Sequence, residues 1–324
     1  MMARIKPGRI GPLVVAIVAS LFVSFFANVA LASFATGSTG GGNNNFPCNC
    51  VIFRMDDVTD DNRAMPAMAV MDAFISRNQD LSLGIIMNNF GNNSQLLSKV
   101  IEGRNKGLFE LDIHGWNHVD YSVLSQDMQA STMAAAKEKM YKLFGETPSI
   151  FIPPFNRFND DTIKAMARTN LTIISSDVTH DSNGSMYFVA DGNAERSVQA
   201  EVSRLPAATY FGVVGSDEKT WTNLSETQII SQAKLSIAKY GYAVILLHPQ
   251  SYLLTKDGRT TNTLDNMAIS ELYGLIDSFS AQNMRITTFS KTVQFRPQVS
   301  IVQAKFGGED YEVTGKSSYA KVTS

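Results

Sequence analysis

The stretch VIFRMDD, residues 51–57, gives the clearest indication of the fold class. Its first five residues form a short and mostly apolar run, which is typical of a buried strand. Two adjacent carboxylates, Asp56 and Asp57, follow directly. A longer amphipathic stretch with helical spacing comes next, and this order of strand, polar strand end and helix is the repeating unit of an α/β fold.

The same alternation continues outward from this stretch. Predicted helices lie at about 63–77, 94–106, 125–144, 160–169, 226–239 and 266–280. Predicted strands lie at Val51–Met55, Leu81–Met87, Phe109–Ile113, Ser149–Ile152, Leu171–Ser175, Ala243–Leu247 and Arg285–Thr288. Seven strands with intervening helices indicate a distorted (β/α) barrel, whose ligand site is expected at the C-terminal ends of the parallel strands.

The N-terminus has the order of a secretory signal. Arg4, Lys6 and Arg9 precede an apolar run at 13–27, and small residues follow up to Ala35. Residues 1–35 are therefore expected to be a cleaved signal peptide or a retained membrane anchor. Both alternatives make the remainder extracytoplasmic, either secreted or anchored, because the positive residues stay on the cytoplasmic side.

Composition suggests further boundaries along the chain. Residues 36–47, rich in Gly and Asn, are expected to form a flexible linker ahead of a folded domain at 48–296. The stretch 177–212 is expected to be an insertion over one face of the barrel. The polar tail at 297–324 is expected to contain one further strand, at Ser300–Lys305, followed by disorder.

Cys48 and Cys50 are the only cysteines. Because one residue separates them, an unstrained mutual disulfide is not expected, and the pair is interpreted as two free or intermolecularly paired thiols. A metal-binding role is the alternative. The net charge of -2 and the pI near 6.1 provide no basic field, so nucleic acid is excluded as a partner.

Histidines and paired acids follow directly after predicted strands. Asp56 and Asp57 follow the first strand, His114 and His118 follow the third, and His248 follows the run at 243–247. Two imidazoles and one carboxylate form a common three-ligand set for zinc and related divalent metals. Of two adjacent carboxylates, one can bind the metal while the other takes a proton. The alternatives are an aspartate turn and an ordinary surface histidine pair.

Four motifs in this order resemble the polysaccharide deacetylase family, the NodB-homology domain of carbohydrate esterase family four. They are RMDD at 54–57, HGWNH at 114–118, FIPPFN at 151–156 and ILLHP at 245–249. The resemblance covers roughly 51–295. It implies a catalytic domain with a distorted (β/α) barrel and a metal-dependent hydrolase that removes N-acetyl groups from an extracellular or cell-surface polysaccharide.

The resemblance also implies roles for individual residues. Asp56 matches the general base, and His248 matches the general acid that protonates the leaving amine. Zn²⁺ is the expected metal, with Co²⁺ or Ni²⁺ as alternatives. The metal ligands of the family match Asp57, His114 and His118, and the substrate and oxyanion positions match Pro154 and Phe155.

Departures from the family pattern raise two questions. Ile152 stands where the family has an arginine that orients the base, and Arg157 or Arg54 could supply that charge from another direction. Gly115 replaces a hydroxyl residue of the second motif. An N-acetylated glycan is the expected partner, whereas a catalytically impaired glycan- or metal-binding protein is the alternative that Ile152 motivates. A metal-dependent hydrolase of another C–N bond or an ester is the third hypothesis.

The remaining candidates are supporting residues. Asp177 is the expected acid partner of His248, with Asp181 as the second choice. Trp116, between the two metal-binding histidines, is expected either to stack on a sugar or to pack against the neighbouring strand. His180 has no matched role.

Overall fold

The computed structural model describes residues 48–181, 202–215, 221–256, 259–293, 300–306 and 309–315. The predicted signal or anchor at 1–35, the linker at 36–47 and the centre of the predicted insertion lie outside these residues. No helix within the described ranges has the length and apolarity needed to cross a membrane.

All the predicted helices and strands are present, with ends that differ by a few residues. The helices are α1 Ala64–Arg77, α2 Ser94–Asn105, α3 Gln126–Phe144, α4 Asp160–Arg168, α5 Glu226–Tyr240, α6 Asn266–Ala281 and α7 Phe289–Val293. The strands are β1 Cys50–Val58, β2 Leu81–Ile85, β3 Phe109–Ile113, β4 Ile150–Phe151, β5 Ile173–Ile174, β6 Ser203–Arg204, β7 Thr209–Tyr210, β8 Gly212–Val214, β9 Trp221–Asn223, β10 Tyr242–Leu247, β11 Leu253–Lys256, β12 Arg259–Leu264, β13 Arg285–Thr287, β14 Ser300–Phe306 and β15 Glu309–Gly315.

Side-chain caps define where several helices begin. Asn159 precedes α4 and forms a capping box with Thr162, in which each side chain bonds the other residue's backbone N–H. Ser225 and Gln228 form the same arrangement at the start of α5. These caps satisfy backbone donors that a helix start otherwise leaves unpaired.

Parallel pairing confirms the predicted distorted (β/α) barrel. The main sheet has the order β6-β5-β4-β3-β2-β1-β10-β7, and every pair in it is parallel. The distortion lies at β1, whose first half pairs with β13 and whose second half pairs with β2 on the same side. The C-terminal ends of β1, β3 and β10 therefore meet at one rim.

The segment 203–210 closes the barrel, so the prediction that this stretch belongs to an insertion over one face is wrong. The Ala207 N–H donates to the carbonyl of Ser176 after β5 (2.8 Å), and the Ala208 N–H donates to the carbonyl of Val244 in β10 (2.9 Å). One extended segment thus pairs with β5 first and with β10 next. Its strands are two residues long each, too short for hydrophobic periodicity to reveal them.

Strand alternation divides the core into two clusters. The larger cluster packs one face of the sheet against the helices and includes Val51, Phe53 and Met55 of β1. The smaller cluster contains Cys50 and Ile52 of the same strand with residues of β4, β5 and β10, and it fills the barrel interior. Arg54 and Asp56 continue the interior series toward the C-terminal rim, because alternate strand residues share a face.

Two local predictions are wrong. The interpretation of Cys48 and Cys50 as free or intermolecularly paired thiols is contradicted, because the two are joined in a disulfide. Asn49 between them adopts a positive φ of 48°, and the two Cα atoms lie 5.0 Å apart. That separation lies within the usual range for a disulfide. In the C-terminal tail, β14 pairs with a second antiparallel strand, β15, where disorder was expected.

Candidate active site

Two strand ends, those of β1 and β3, bring together one carboxylate and two imidazoles. Asp57 Oδ1 lies 3.4 Å from His114 Nε2 and 3.2 Å from His118 Nε2. One donor atom from each of the three residues lies within 4.8 Å of the other two. The three side chains predicted to bind a metal therefore converge at the rim of the barrel.

A backbone irregularity separates the two adjacent aspartates. Asp57 has a φ of 61°, and the pairing of β1 with β2 shifts register between Met55 and Val58. A non-glycine residue in this region carries a strain that tends to persist at functional sites. The irregularity lets Asp56 continue the interior alternation while Asp57 turns toward the histidines.

Hydrogen bonding leaves one oxygen of Asp57 without a partner. Asp57 Oδ2 accepts from Gln250 Nε2 (2.9 Å) and lies 3.1 Å from Arg63 Nη1. Asp57 Oδ1 is buried and has no hydrogen-bond partner among the described residues. Unpartnered buried oxygens are rare, so this atom, which faces two imidazole nitrogens, fits a bound cation.

The tautomer of His114 fits the same interpretation. Its Nδ1 lies 3.0 Å from the backbone oxygen of Ile152, which can only accept a hydrogen bond. Nδ1 must therefore carry the proton, and in the neutral ring the Nε2 lone pair points toward Asp57. Metal-binding histidines commonly have such an outer hydrogen bond.

Mutual electrostatics shape the ionisation of these three groups. Burial opposes ionisation of Asp57, but the close approach and charge of His114, with the charges of His248 and His118, hold the pKa of Asp57 well below its usual value. Burial, and then the charge of His114, lowers the pKa of His118 to about 4. Burial also disfavours a charge on His114, but Asp56 and Asp57 outweigh it and raise the pKa of that ring. A proton and a metal would therefore compete for His114.

Arg54, which is fully buried, holds Asp56 in a two-point ion pair. Its Nε donates to Asp56 Oδ1 (2.9 Å) and its Nη2 to Asp56 Oδ2 (2.7 Å). The same Nη2 donates to Asn156 Oδ1 (2.7 Å), and Nη1 donates to the backbone oxygens of Ser175 and Ser176 (2.8 Å each). A bidentate guanidinium compensates the buried carboxylate and fixes its orientation.

Of the two arginines considered as substitutes for the family arginine, Arg54 contacts Asp56. Arg157 is instead bonded to Asp120 (3.1 Å), and its side chain is 57% exposed. A Cβ on Gly84 would stand 3.1 Å from Asp56 Oδ1 and 3.2 Å from Ile152 Cδ1. Ile152 therefore lies beside the carboxylate that Arg54 holds from β1.

The turn at 153–156 forms another wall of the site. Phe155 and Asn156 have φ values of 59° and 57°. The exposed Phe155 ring lies 4.4 Å from the His118 ring, centroid to centroid. A Cβ on Gly115 would stand 3.2 Å from Pro154 Cγ, and Gly115 has a φ of 79°, which explains why glycine occupies this position of the second motif.

His248 lies at the end of β10 without the expected acid partner. Its Nδ1 is buried and has no hydrogen-bond partner within the described ranges, and its ring lies 4.9 Å from the Trp221 ring. Burial lowers the pKa of His248. The predicted pairing with Asp177 is wrong, and the second choice, Asp181, lies 3.2 Å from Arg204.

Asp177 instead forms a separate cluster at the end of β5. Its Oδ1 pairs with His180 Nδ1 (2.8 Å), and its Oδ2 accepts from the Tyr210 hydroxyl (2.7 Å). Burial works against ionisation of Asp177, but hydrogen bonds from Thr179, Tyr210 and His180 lower its pKa to about 2. Because His180 is only three residues along the chain, a local turn brings its ring to the Asp177 carboxylate.

Trp116 packs against the core, in line with the packing alternative. Its ring is partly buried, and Lys139 Nζ lies 5.8 Å from its centroid. Sequence reasoning did not single out Gln250 and Arg63, which bind Asp57 Oδ2. Gln250 lies 193 positions from Asp57 in the sequence and meets it only in the folded chain. Arg63 is close to Asp57 in sequence, but it belongs to no motif that indicates a contact with the carboxylate.

The polysaccharide deacetylase family model matches residues 47–174. The matched part contains RMDD, HGWNH and FIPPFN, so the resemblance that these motifs indicated is confirmed. No curated protein sequence matches the chain.

Three solved structures illustrate the similarity in three dimensions. The Xyl-CE4 domain of a multidomain xylanase from the hindgut metagenome of Trinervitermes trinervoides is 17% identical, with 75% of this chain and 88% of that chain covered and a TM-score of 0.47. A family 4 acetyl xylan esterase from Clostridium thermocellum in complex with a cobalt ion is 15% identical, with 76% and 93% covered and a TM-score of 0.48. A CE4 family pseudoenzyme from Bacillus anthracis is 10% identical, with 76% and 65% covered and a TM-score of 0.49.

Proposed function

We propose that this chain, which resembles polysaccharide deacetylases, is a metal-dependent hydrolase that removes N-acetyl groups from an extracytoplasmic polysaccharide. The observation that carries the proposal is the convergence of Asp57, His114 and His118 around an unpartnered buried oxygen, beside Asp56 in its ion pair with Arg54. Such a set can hold a divalent cation next to a general base.

Asp57, His114 and His118 would hold the metal, with Zn²⁺ as the first choice and Co²⁺ or Ni²⁺ as alternatives. A divalent cation in such a site lowers the pKa of water and polarises a carbonyl group. Asp56 takes the proton of the attacking water, and its bidentate bonds to Arg54 keep the carboxylate in one orientation. The backbone of the turn at Pro154 and Phe155 would contribute to holding the oxyanion.

The leaving nitrogen needs a proton, and His248 is the proposed donor. A bond forms between the water oxygen and the carbonyl carbon, the C–N bond breaks, and the products are acetate and an amine. Burial lowers the pKa of His248, so the resting ring is neutral near pH 7. The negative charges of Asp57 and Asp56 favour the imidazolium, so the ring can take up a proton from solvent and donate it to the leaving nitrogen, while Asp56 returns the proton of the attacking water to solvent.

The alternative of a catalytically impaired binding protein rested on Ile152, which stands where the family has an arginine. Arg54 supplies the missing charge, because its guanidinium reaches both oxygens of Asp56 from β1. Ile152 is therefore no longer a reason to expect an impaired protein. The alternative of another C–N hydrolase or an esterase keeps the same site and changes only the bond that is cleaved.

We expect the full chain with added zinc to release acetate from N-acetylated glycans faster than from O-acetylated ones. Asp56→Asn is expected to lower the rate about 10²- to 10⁴-fold, the range of general-base catalysis, while zinc binding persists. Acetate can be measured by an enzyme-coupled assay, and Asp161→Asn, an exposed carboxylate on α4, is the matched control. Faster release from O-acetylated glycans would favour an esterase, and an unchanged rate in Asp56→Asn would exclude Asp56 as the base.

A further inference from the structure

A cavity of about 220 Å³ adjoins the proposed site on the side of His248. It lies between β9, the turn after His248, β11 and the start of α6. It is smaller than the roughly 300–1,000 Å³ of pockets for drug-sized ligands, so it suits a single ring. Its polar and aromatic lining comprises Trp221, Asn223, Ser251, Thr255, Asp265 and Glu271.

Two residues that line the cavity, Trp221 and Ser251, contact His248 of the proposed site. Trp221 lines it, and the ring of Trp221 lies 4.9 Å from the ring of His248. The Ser251 N–H donates to the backbone oxygen of His248 (3.0 Å), and the adjacent Gln250 binds Asp57. A group in this cavity would therefore lie beside the sugar unit that reacts.

An unpartnered hydroxyl indicates that the cavity takes a polar ligand. Ser251 is only 3% exposed, it lines the cavity, and its Oγ has no hydrogen-bond partner among the described residues. The Asn223 amide donates to the Ser251 backbone oxygen (3.2 Å) and fixes this residue in place. A buried hydroxyl without a partner is costly, and rotation of this side chain toward the cavity would let a ligand hydroxyl or ammonium remove that cost.

The charge of the lining favours a cation. Two of the lining residues, Asp265 and Glu271, are carboxylates, and none of the lining residues is basic. Asp265 Oδ1 is occupied by the backbone N–H groups of Met267 and Ala268 at the start of α6. Glu271 is exposed and forms no ion pair with another described residue. The face of Trp221 adds an aromatic surface that attracts both cations and sugar rings.

We propose that this cavity is a subsite for a protonated amino-sugar unit, next to the unit that loses its acetyl group. The proposal rests on the proposed function, because deacetylation creates such units on the same glycan. The ammonium pairs with Glu271, the ring lies against Trp221, and a hydroxyl of the sugar bonds Ser251. The protein would then act preferentially beside units that are already deacetylated.

The test uses the full chain with Trp116→Phe, which leaves Trp221 as the single tryptophan reporter. A glucosamine tetramer and an N-acetylglucosamine tetramer are titrated separately while tryptophan fluorescence is recorded. We expect the glucosamine tetramer to change the fluorescence and to bind at least about tenfold more tightly than the acetylated one, as one charge-assisted hydrogen bond allows.

Glu271→Gln is expected to weaken binding of the glucosamine tetramer about tenfold, whereas Glu138→Gln, an exposed carboxylate on α3, leaves it unchanged. Equal affinity for both tetramers, or no fluorescence change with either, would overturn the subsite. Acetate release is measured separately. Binding of the glucosamine tetramer at Trp221 without acetate release would support the subsite and contradict the proposed activity.

Discussion

Replacing Arg54 with threonine is expected to lower acetate release about 10²- to 10⁴-fold, because Asp56 then loses the group that orients it as a base. Arg54 makes two bonds to Asp56 and three more to Asn156 and the backbone after β5. Its removal leaves a buried carboxylate without a compensating charge, which typically costs about 3–5 kcal/mol of stability. Circular dichroism of the variant separates lost activity from lost fold.

The sharper form of this experiment relocates the arginine. The Ile152 side chain and the Asp56 carboxylate lie 3.2 Å and 3.1 Å from the position that a Cβ on Gly84 would take, so the two side chains are close neighbours. Arg54→Thr combined with Ile152→Arg therefore places a guanidinium where the family has one, and part of the activity is expected to return. Arg54→Lys keeps the positive charge but loses the bidentate guanidinium. Its rate of acetate release is expected to lie between those of the wild-type chain and Arg54→Thr.

Rescue distinguishes positioning from a purely structural role. If the double variant folds as well as the wild-type chain but releases no more acetate than Arg54→Thr alone, Arg54 does not act through the orientation of Asp56. The steady-state rate at saturating substrate is the informative quantity, because orientation of a base changes the chemical step.

Replacing Asp57 with alanine is expected to remove most of the affinity for zinc, because it deletes the only carboxylate of the three-residue set. Gln250→Ala is the graded comparison. It deletes only the hydrogen bond to Asp57 Oδ2, and loss of such an outer partner typically costs about 10- to 100-fold in metal affinity. Competition with a chromogenic chelator measures both affinities on the full chain.

Thermal unfolding provides an independent reading of the same two variants. Zinc at about 100 times its dissociation constant should stabilise the wild-type chain by about 2.7 kcal/mol, because it binds only the folded state. Zinc should stabilise Asp57→Ala very little. It should stabilise Gln250→Ala as much as the wild-type chain, but only at a higher zinc concentration. Equal zinc affinity in the wild-type chain and Asp57→Ala would place the metal elsewhere.

Much of the site could be predicted because its residues follow strands. Asp57, His114, His118 and His248 each lie at or after the end of a strand with a strong apolar pattern, and parallel strands bring their C-terminal ends to one rim. The link between Arg54 and Asp56 was also readable in principle. Residues two apart in a strand share a face, so this arginine had to stand beside that carboxylate.

The remaining features depend on geometry that the sequence pattern does not carry. Asp177 was assigned to His248, but the local turn pairs it with His180 and leaves His248 Nδ1 without a partner within the described ranges. The barrel-closing segment at 203–210 has two strands of only two residues each. Its role follows from the neighbours that it reaches, β5 and β10, rather than from its own composition.

Acetate release by the metal-stripped full chain, measured as zinc is added back, tests the central claim most directly. The Asp57, His114 and His118 set predicts that release is lost on stripping, rises in proportion to added zinc and levels off at one zinc per chain. The Asp57→Ala chain should gain nothing at the same zinc concentrations. Acetate release that persists without metal, or that zinc restores equally in Asp57→Ala, would contradict a hydrolase built on this site.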